Sequence, residues 1–292
     1  MKIPETETYF ETKHESFYKK CVEMLQRRWT DCITLEGMEV FQPAVFSGQH
    51  DLYYNMDNPR RGVALIFNHT EIDEQPRRYG TKYDRDRIVK VFKYLHFEPR
   101  VYEDYSRFHI MNVLDYFVEE NHTDEDCLVI VVMTHGARDK LYAKDRAYLV
   151  DYLLGKFTDH NCPTLAGKPK LIFIQACGGD KVDSDLNNIM NTANYRNPVT
   201  PDILVMYSTI PGYLSYRYRS SVRGSWFIQS LCTELEEKAK SHDILEILQF
   251  TANRVAVDYE AIKCNVSVQK MPSVISSLTR TLHFGKSNKL LK

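Results

Sequence analysis

The sequence predicts an α/β fold: a parallel or mostly parallel sheet with helices on both faces. Short runs that are apolar at nearly every position, residues 62–67, 127–133 and 169–176, suit strands buried on both sides. Segments of helical periodicity alternate with them, and that alternation marks a parallel sheet covered by helices. With 43% hydrophobic and 26% charged residues in a chain of 292, the composition is that of a protein with a proper core.

The elements follow in order. Phe10, Phe17, Cys21, Met24 and Leu25 fall at helical spacing, so residues 11–28 read as an amphipathic helix. Residues 37–48, with Pro43 and two glycines, read as a connector, and the whole of 1–50 as a short N-terminal extension. A strand is expected at 62–67. A helix at 84–95 carries Ile88, Val91, Phe92 and Leu95 on one stripe. A second helical stripe covers 110–117, a strand 127–133, a helix 147–157 and a strand 169–176. Residues 178–200 hold eight Asp or Asn and little hydrophobic pattern, so they read as an exposed loop. A strand at 203–208, helices at 225–240 and 244–259, and an extended segment at 271–284 complete the chain.

The 38 basic and 39 acidic residues nearly cancel, which gives no field-driven affinity for nucleic acid or a membrane surface. Residues 1–29 lack the apolar stretch of a signal peptide, and no apolar run is long enough to span a bilayer. Seven cysteines without close pairs argue against a disulfide framework and against a CxxC-type zinc site. The expectation is a cytoplasmic protein in a reducing compartment, with no metal and no cofactor.

Two of the expected strands end in polar, glycine-bearing segments, Thr134-His135-Gly136 and Gln175-Ala176-Cys177-Gly178-Gly179. Ligands of open parallel sheets sit beyond the carboxyl ends of the strands. If these strands are neighbours, a thiol and an imidazole meet there, and a nearby imidazole activates a thiol that is mostly protonated near neutrality. Exposed N–H groups at the glycines suit a tetrahedral oxyanion. A cysteine at a strand end is more commonly a small buried hydrophobe, so the spacing alone does not assign catalysis.

Longer segments carry more information. Gln175-Ala176-Cys177-Gly178-Gly179 resembles the caspase nucleophile signature, which has a histidine roughly 50 residues upstream; His135 stands 42 residues before Cys177. Gly167 to Cys177, Tyr207 to Tyr213 and Gly224 to Cys232 also resemble effector-caspase segments, and they occur in family order.

The resemblance implies a three-layer sandwich around a six-stranded, mostly parallel sheet, extended to twelve strands in a homodimer joined between Ser273 and Leu278. It implies an aspartate-specific cysteine endopeptidase of programmed cell death, acting on protein substrates, with an upstream caspase and inhibitor proteins as possible partners. Cys177 would be the nucleophile, His135 its acid/base partner, and the N–H groups of Gly136 and Cys177 the oxyanion hole. Arg78, Gln175 and Arg217 would hold the P1 carboxylate, flanked by Ser215 and Tyr216. Trp226 would wall the P4 pocket, its alternative being ordinary packing at a helix start. A buried carboxylate needs such forked donors.

Asp180-Lys181-Val182-Asp183 before Ser184 reads as a substrate motif. A zymogen cut after Asp183, or failing that Asp185, would yield a large subunit of 51–183 and a small one of 184–292, with 184–200 as linker remnant. Asp31 or Asp51 would release the N-terminal extension. The chain departs from the effector pattern at Gly178, Leu214, Tyr216 and Tyr218, and in the loop after Gly136. These departures motivate an alternative of another class, a catalytically weak homologue that heterodimerises with an active caspase and regulates it.

Overall fold

In chain order, a computed structural model contains β1 (Val63–Asn68), α1 (Thr81–Tyr94), β2 (Glu98–Glu103), α2 (Arg107–Glu119), β3 (Leu128–Met133), β4 (Gly136–Ala137), β5 (Lys140–Tyr142), β6 (Ala147–Leu149), α3 (Val150–Gly155), β7 (Lys170–Gln175), β8 (Ile203–Tyr207), α4 (Trp226–Lys238), α5 (Ile244–Asp258), β9 (Ala261–Lys263), β10 (Val266–Val268) and β11 (Ser273–Ser276). The structure describes residues 52–137, 139–176, 201–209, 224–258 and 271–285, and the backbone alone at 261–263 and 266–268. The expected helix at 11–28, the connector at 37–48 and the loop at 178–200 lie outside the described residues.

The apolar runs are the centre of a six-stranded sheet ordered β11-β8-β7-β3-β1-β2. Every pairing is parallel except that of β11 with β8. All residues of β1, β3 and β7 are buried. The pleat sends alternate side chains to opposite faces. Ala64, Ile66, Val129, Val131, Leu171 and Phe173 meet Ile88 and Phe92 of α1, Phe227 and Leu231 of α4, and Ile247 and Leu248 of α5. On the other face Leu65, Phe67, Ile130, Val132 and Ile172 meet Ile110, Leu114 and Phe117 of α2 and Leu153 of α3. Two cores on one sheet explain why the strands are apolar without alternation. Truncating a core ring such as Phe173, which is 0% exposed, to alanine costs about 3–5 kcal/mol.

Helix ends are set by local chemistry. Ser106 caps α2 by accepting the N–H of His109 at 3.3 Å, and Ser225 caps α4 through Ile228 at 3.4 Å. α1 begins at Thr81, three residues earlier than the apolar stripe alone indicates, because Gly80 turns into it with φ 81°. Gly62 enters β1 at φ 119°, where a Cβ would stand 1.9 Å from the Cys127 carbonyl oxygen, so no side chain fits between β1 and β3 there.

Several elements differ from the sequence reading, which placed no strand at β4, β5, β9 or β10. Residues 147–157 are not one helix: Ala147–Leu149 is strand β6, paired with β5, and only Val150–Gly155 is helical. The tyrosine at 148, 3% exposed, is drawn into the core from the strand. β2 has no apolar alternation to announce it; it is a half-exposed edge strand that tolerates Pro99 and carries the ion pairs of Arg100 with Glu98 and Glu120, both at 2.8 Å. The C-terminal segment is extended, but its sheet strand β11 stops at Ser276. Beyond it Thr281 bridges to Tyr53, while Leu282 and Phe284 enter the core.

Candidate active site

The parallel strands end level with one another. Asn68 of β1 lies opposite Met133 of β3, Met133 opposite Gln175 of β7, and Ile174 opposite Tyr207 of β8. Main-chain bonds carry the alignment past the strands: His69 N to Met133 O at 2.9 Å, Thr134 N to Gln175 O at 3.0 Å, and Ser208 N to Ile174 O at 2.9 Å. Ser208 Oγ also donates to Ala176 O at 3.1 Å. His135 therefore emerges two residues past the end of β3. Cys177, two residues past the end of the adjacent β7, lies outside the described residues.

His135 is half-buried, and its Nε2 lies 2.7 Å from the main-chain carbonyl oxygen of Pro76. A carbonyl only accepts, so Nε2 carries the hydrogen and the Pro76 carbonyl fixes both tautomer and ring orientation. Its own carbonyl accepts Tyr142 N at 3.0 Å. Gly136 opens the hairpin β4–β5, opposite Leu141, and Asp139 takes the tight connection at φ 57°.

Arg78 is 2% exposed. Its Nη1 donates to the carbonyl oxygens of His69 and of Met133, the latter at 2.6 Å, so the guanidinium is held against the ends of β1 and β3. The loop that delivers it is organised by Asp104, whose Oδ1 accepts Thr70 N at 2.6 Å and Glu71 N at 3.0 Å. Arg78 N in turn donates to Thr70 O at 2.9 Å, and the hydroxyls of Thr70 and Thr81 meet at 2.8 Å. The charge of Arg78 is felt nearby: burial, and then Arg78, push the His69 imidazole down to about 4, while Asp104 pulls the other way. Neither ring nitrogen of His69 has a hydrogen-bond partner among the described residues.

Gln175 ends β7 at 3% exposure, and Trp226 opens α4 at 7%. The structure thus gathers His135, Gly136, Arg78 and Gln175 at the carboxyl ends of the central strands. Ser215, Tyr216, Arg217, Asp183 and Asp185 lie outside the described residues. The sequence reading missed the Pro76 carbonyl, His69, Asp104 and Asp84. The first is a main-chain group without a side-chain signal, and the others are polar residues whose burial only the fold reveals.

An arrangement with an oriented imidazole, an anchored buried guanidinium and a glycine turn suits acyl transfer on a substrate that bears a carboxylate. Comparison with known proteins identifies the family. Residues 61–283 match the Caspase domain family. Caspase drICE of Drosophila melanogaster is 40% identical over 253 residues, covering 81% of this chain and 74% of its own length. Caspase-1 of Spodoptera frugiperda is 42% identical over 246 residues, covering 80% of this chain and 82% of its own. The crystal structure of that Spodoptera caspase superposes with a TM-score of 0.75, covering 82% of this chain and 96% of the other. The chain belongs to the caspase family of cysteine proteases.

Proposed function

We propose that this chain is an active cysteine endopeptidase that cuts proteins after aspartate and acts in programmed cell death. The observation that carries the reading is Arg78, a guanidinium buried to 2% exposure and tied to two main-chain carbonyls beside His135. A charge is costly to bury without a partner of opposite sign or strong hydrogen bonds. One fixed in orientation at a strand end is suited to receive a substrate carboxylate, with Gln175 and Arg217 completing the clamp.

In the reaction, Cys177 sulfur attacks the carbonyl carbon of the scissile bond and its proton passes to His135 Nδ1. The oxyanion takes hydrogen bonds from the N–H groups of Gly136 and Cys177. The imidazolium then gives its proton to the leaving amine, and a thioester remains. Water, deprotonated by the same imidazole, hydrolyses the thioester and returns the thiol.

Activation follows from a cut after Asp183, separating a large subunit, 51–183, from a small one, 184–292. The two parts have reason to stay together, since β7 pairs with β8 from Lys170↔Ile203 to Ile174↔Tyr207. Tyr54 Oη also donates to Asp202 at 2.5 Å. β11 is a short edge strand with Val274 39% exposed, and a second copy pairing there would extend the sheet to twelve strands. The free, buried thiols of Cys127, Cys162 and Cys232 support a reducing, cytoplasmic setting.

The test is a thiol-directed peptide probe with aspartate at P1. Labelling of the dimer at one probe per chain, abolished by Cys177→Ala, is the expected result. A dimer that binds no probe identifies a regulatory homologue instead.

A further inference from the structure

Asp84 is a carboxylate buried to 1% exposure in the first turn of α1, and it reaches across to the start of α4. Both its oxygens accept the main-chain N–H of Ser225, at 2.8 and 3.0 Å, and Oδ1 also accepts Gln229 Nε2 at 2.8 Å. Ser225 is the N-cap of α4, so the carboxylate sits where the helix presents its unsatisfied N–H groups and the positive end of its dipole. The preceding residue, Gly224, holds φ 68°, and a Cβ there would lie 2.3 Å from Asp84 Oδ1 and 2.6 Å from Gln229 Nε2. The chain at 224–225 is therefore shaped around this one carboxylate, and a side chain at 224 would displace it.

Each end of the clamp borders a residue of the substrate site. Trp226, the proposed wall of the P4 pocket, directly follows Ser225. Arg78 precedes Gly80, the turn that starts α1, by two residues. In the proposed processed protein Asp84 belongs to the large subunit and Ser225 to the small one, so the clamp would cross between them.

We propose that Asp84 is a positioning residue for substrate selectivity: it fixes the first turn of α4, and with it Trp226, relative to the pocket that carries Arg78. This rests on reading the site as an aspartate-directed protease. A carboxylate that merely stabilised the fold would change the amount of competent enzyme, or its action on all substrates alike. A positioning residue changes the use made of the P4 side chain.

The test compares full-length, processed wild-type protein with Asp84→Asn, Asp84→Ala and Gly224→Ala, each titrated for active sites. Two peptides with P1 aspartate serve as substrates, a tetrapeptide and its truncation lacking P3 and P4. Loss of two charge-assisted bonds at the helix start should raise KM for the tetrapeptide about ten-fold in Asp84→Ala and Gly224→Ala. Both kcat values, and KM for the truncated peptide, should stay within about two-fold of wild type. Asp84→Asn, which keeps an acceptor for Ser225 N–H, should recover part of the difference.

Equal losses on both peptides overturn the proposal, as do lost active sites with normal rates per site. Unchanged KM in Asp84→Ala and Gly224→Ala overturns it as well. A wild-type protein that cleaves neither peptide overturns the functional reading, and this inference with it.

Discussion

His69 couples the acid stability of the fold to the charge in the candidate pocket. It is 0% exposed directly after β1, and its carbonyl holds Arg78. Its imidazole is pushed down to about 4, first by burial and second by the charge of Arg78, against the pull of Asp104. In the unfolded chain a histidine titrates near pH 6.5. The native state thus refuses a proton that the unfolded chain accepts. The associated stability is complete above about pH 6.5 and is lost as pH falls through 4. A separation of this size corresponds to about 3 kcal/mol in full, of which about 2 kcal/mol should disappear between pH 7 and pH 5. His69→Gln cannot take up the proton and should lose that much less over the same interval. Urea unfolding of the two proteins, both carrying Cys177→Ala to prevent self-cleavage, measures the difference at each pH. Stability curves that stay parallel within about 0.5 kcal/mol from pH 7 to 5 refute the reasoning. In Arg78→Met the second cause is removed, so the His69 pKa read by NMR should rise yet remain below the unfolded value. An unmoved pKa refutes the coupling.

Two further outcomes are expected. Arg78→Ala should lower kcat/KM on P1-aspartate peptides by about 3 kcal/mol, roughly a hundred-fold, since a substrate carboxylate would be buried beside an unfilled clamp; near wild-type steady-state rates would remove Arg78 from the pocket. Asp183→Ala should leave the chain intact at that peptide bond, and intact-mass analysis should find wild type cut there and Cys177→Ala uncut. Normal activation of Asp183→Ala would mean that maturation uses another bond.

The parts of the fold that were legible in the sequence are those under two-sided burial. β1, β3 and β7 are apolar at nearly every position because helices cover both faces, and the stripe of Ile88, Val91 and Phe92 is the matching face of α1. β2 was not legible, because an edge strand needs no apolar alternation. The segment at 147–157 misled because Val150, Leu153 and Phe157, all buried, fall at helical spacing, although residues 147–149 before them pair with β5 as a strand. At the site, His135 stood out as a polar residue just past the end of an apolar strand, whereas Arg78 and Gln175 were assigned only through the family resemblance. The carbonyl of Pro76 and the carboxylates of Asp84 and Asp104 act through contacts 59, 141 and 34 residues away in sequence, a separation that no local pattern encodes.

Those long contacts share a direction. Asp104, at the end of β2, shapes the loop that carries Arg78; Met133, at the end of β3, anchors the guanidinium; Pro76 on the Arg78 loop orients His135 past the end of β3. Each piece of the site is therefore held in part by the end of a neighbouring strand, and Arg78 also by His69 and Thr70 of its own loop. The proposed acid/base group and the proposed carboxylate clamp cannot be set independently, because Pro76 and Arg78 lie two residues apart on one loop. A change that shifts that loop, such as Asp104→Ala, should move His135 and Arg78 together, whereas Asp84 sits beyond Gly80 and contacts the start of α4 instead. On the proposed reading, selectivity at P4 would then have a structural origin separate from selectivity at P1.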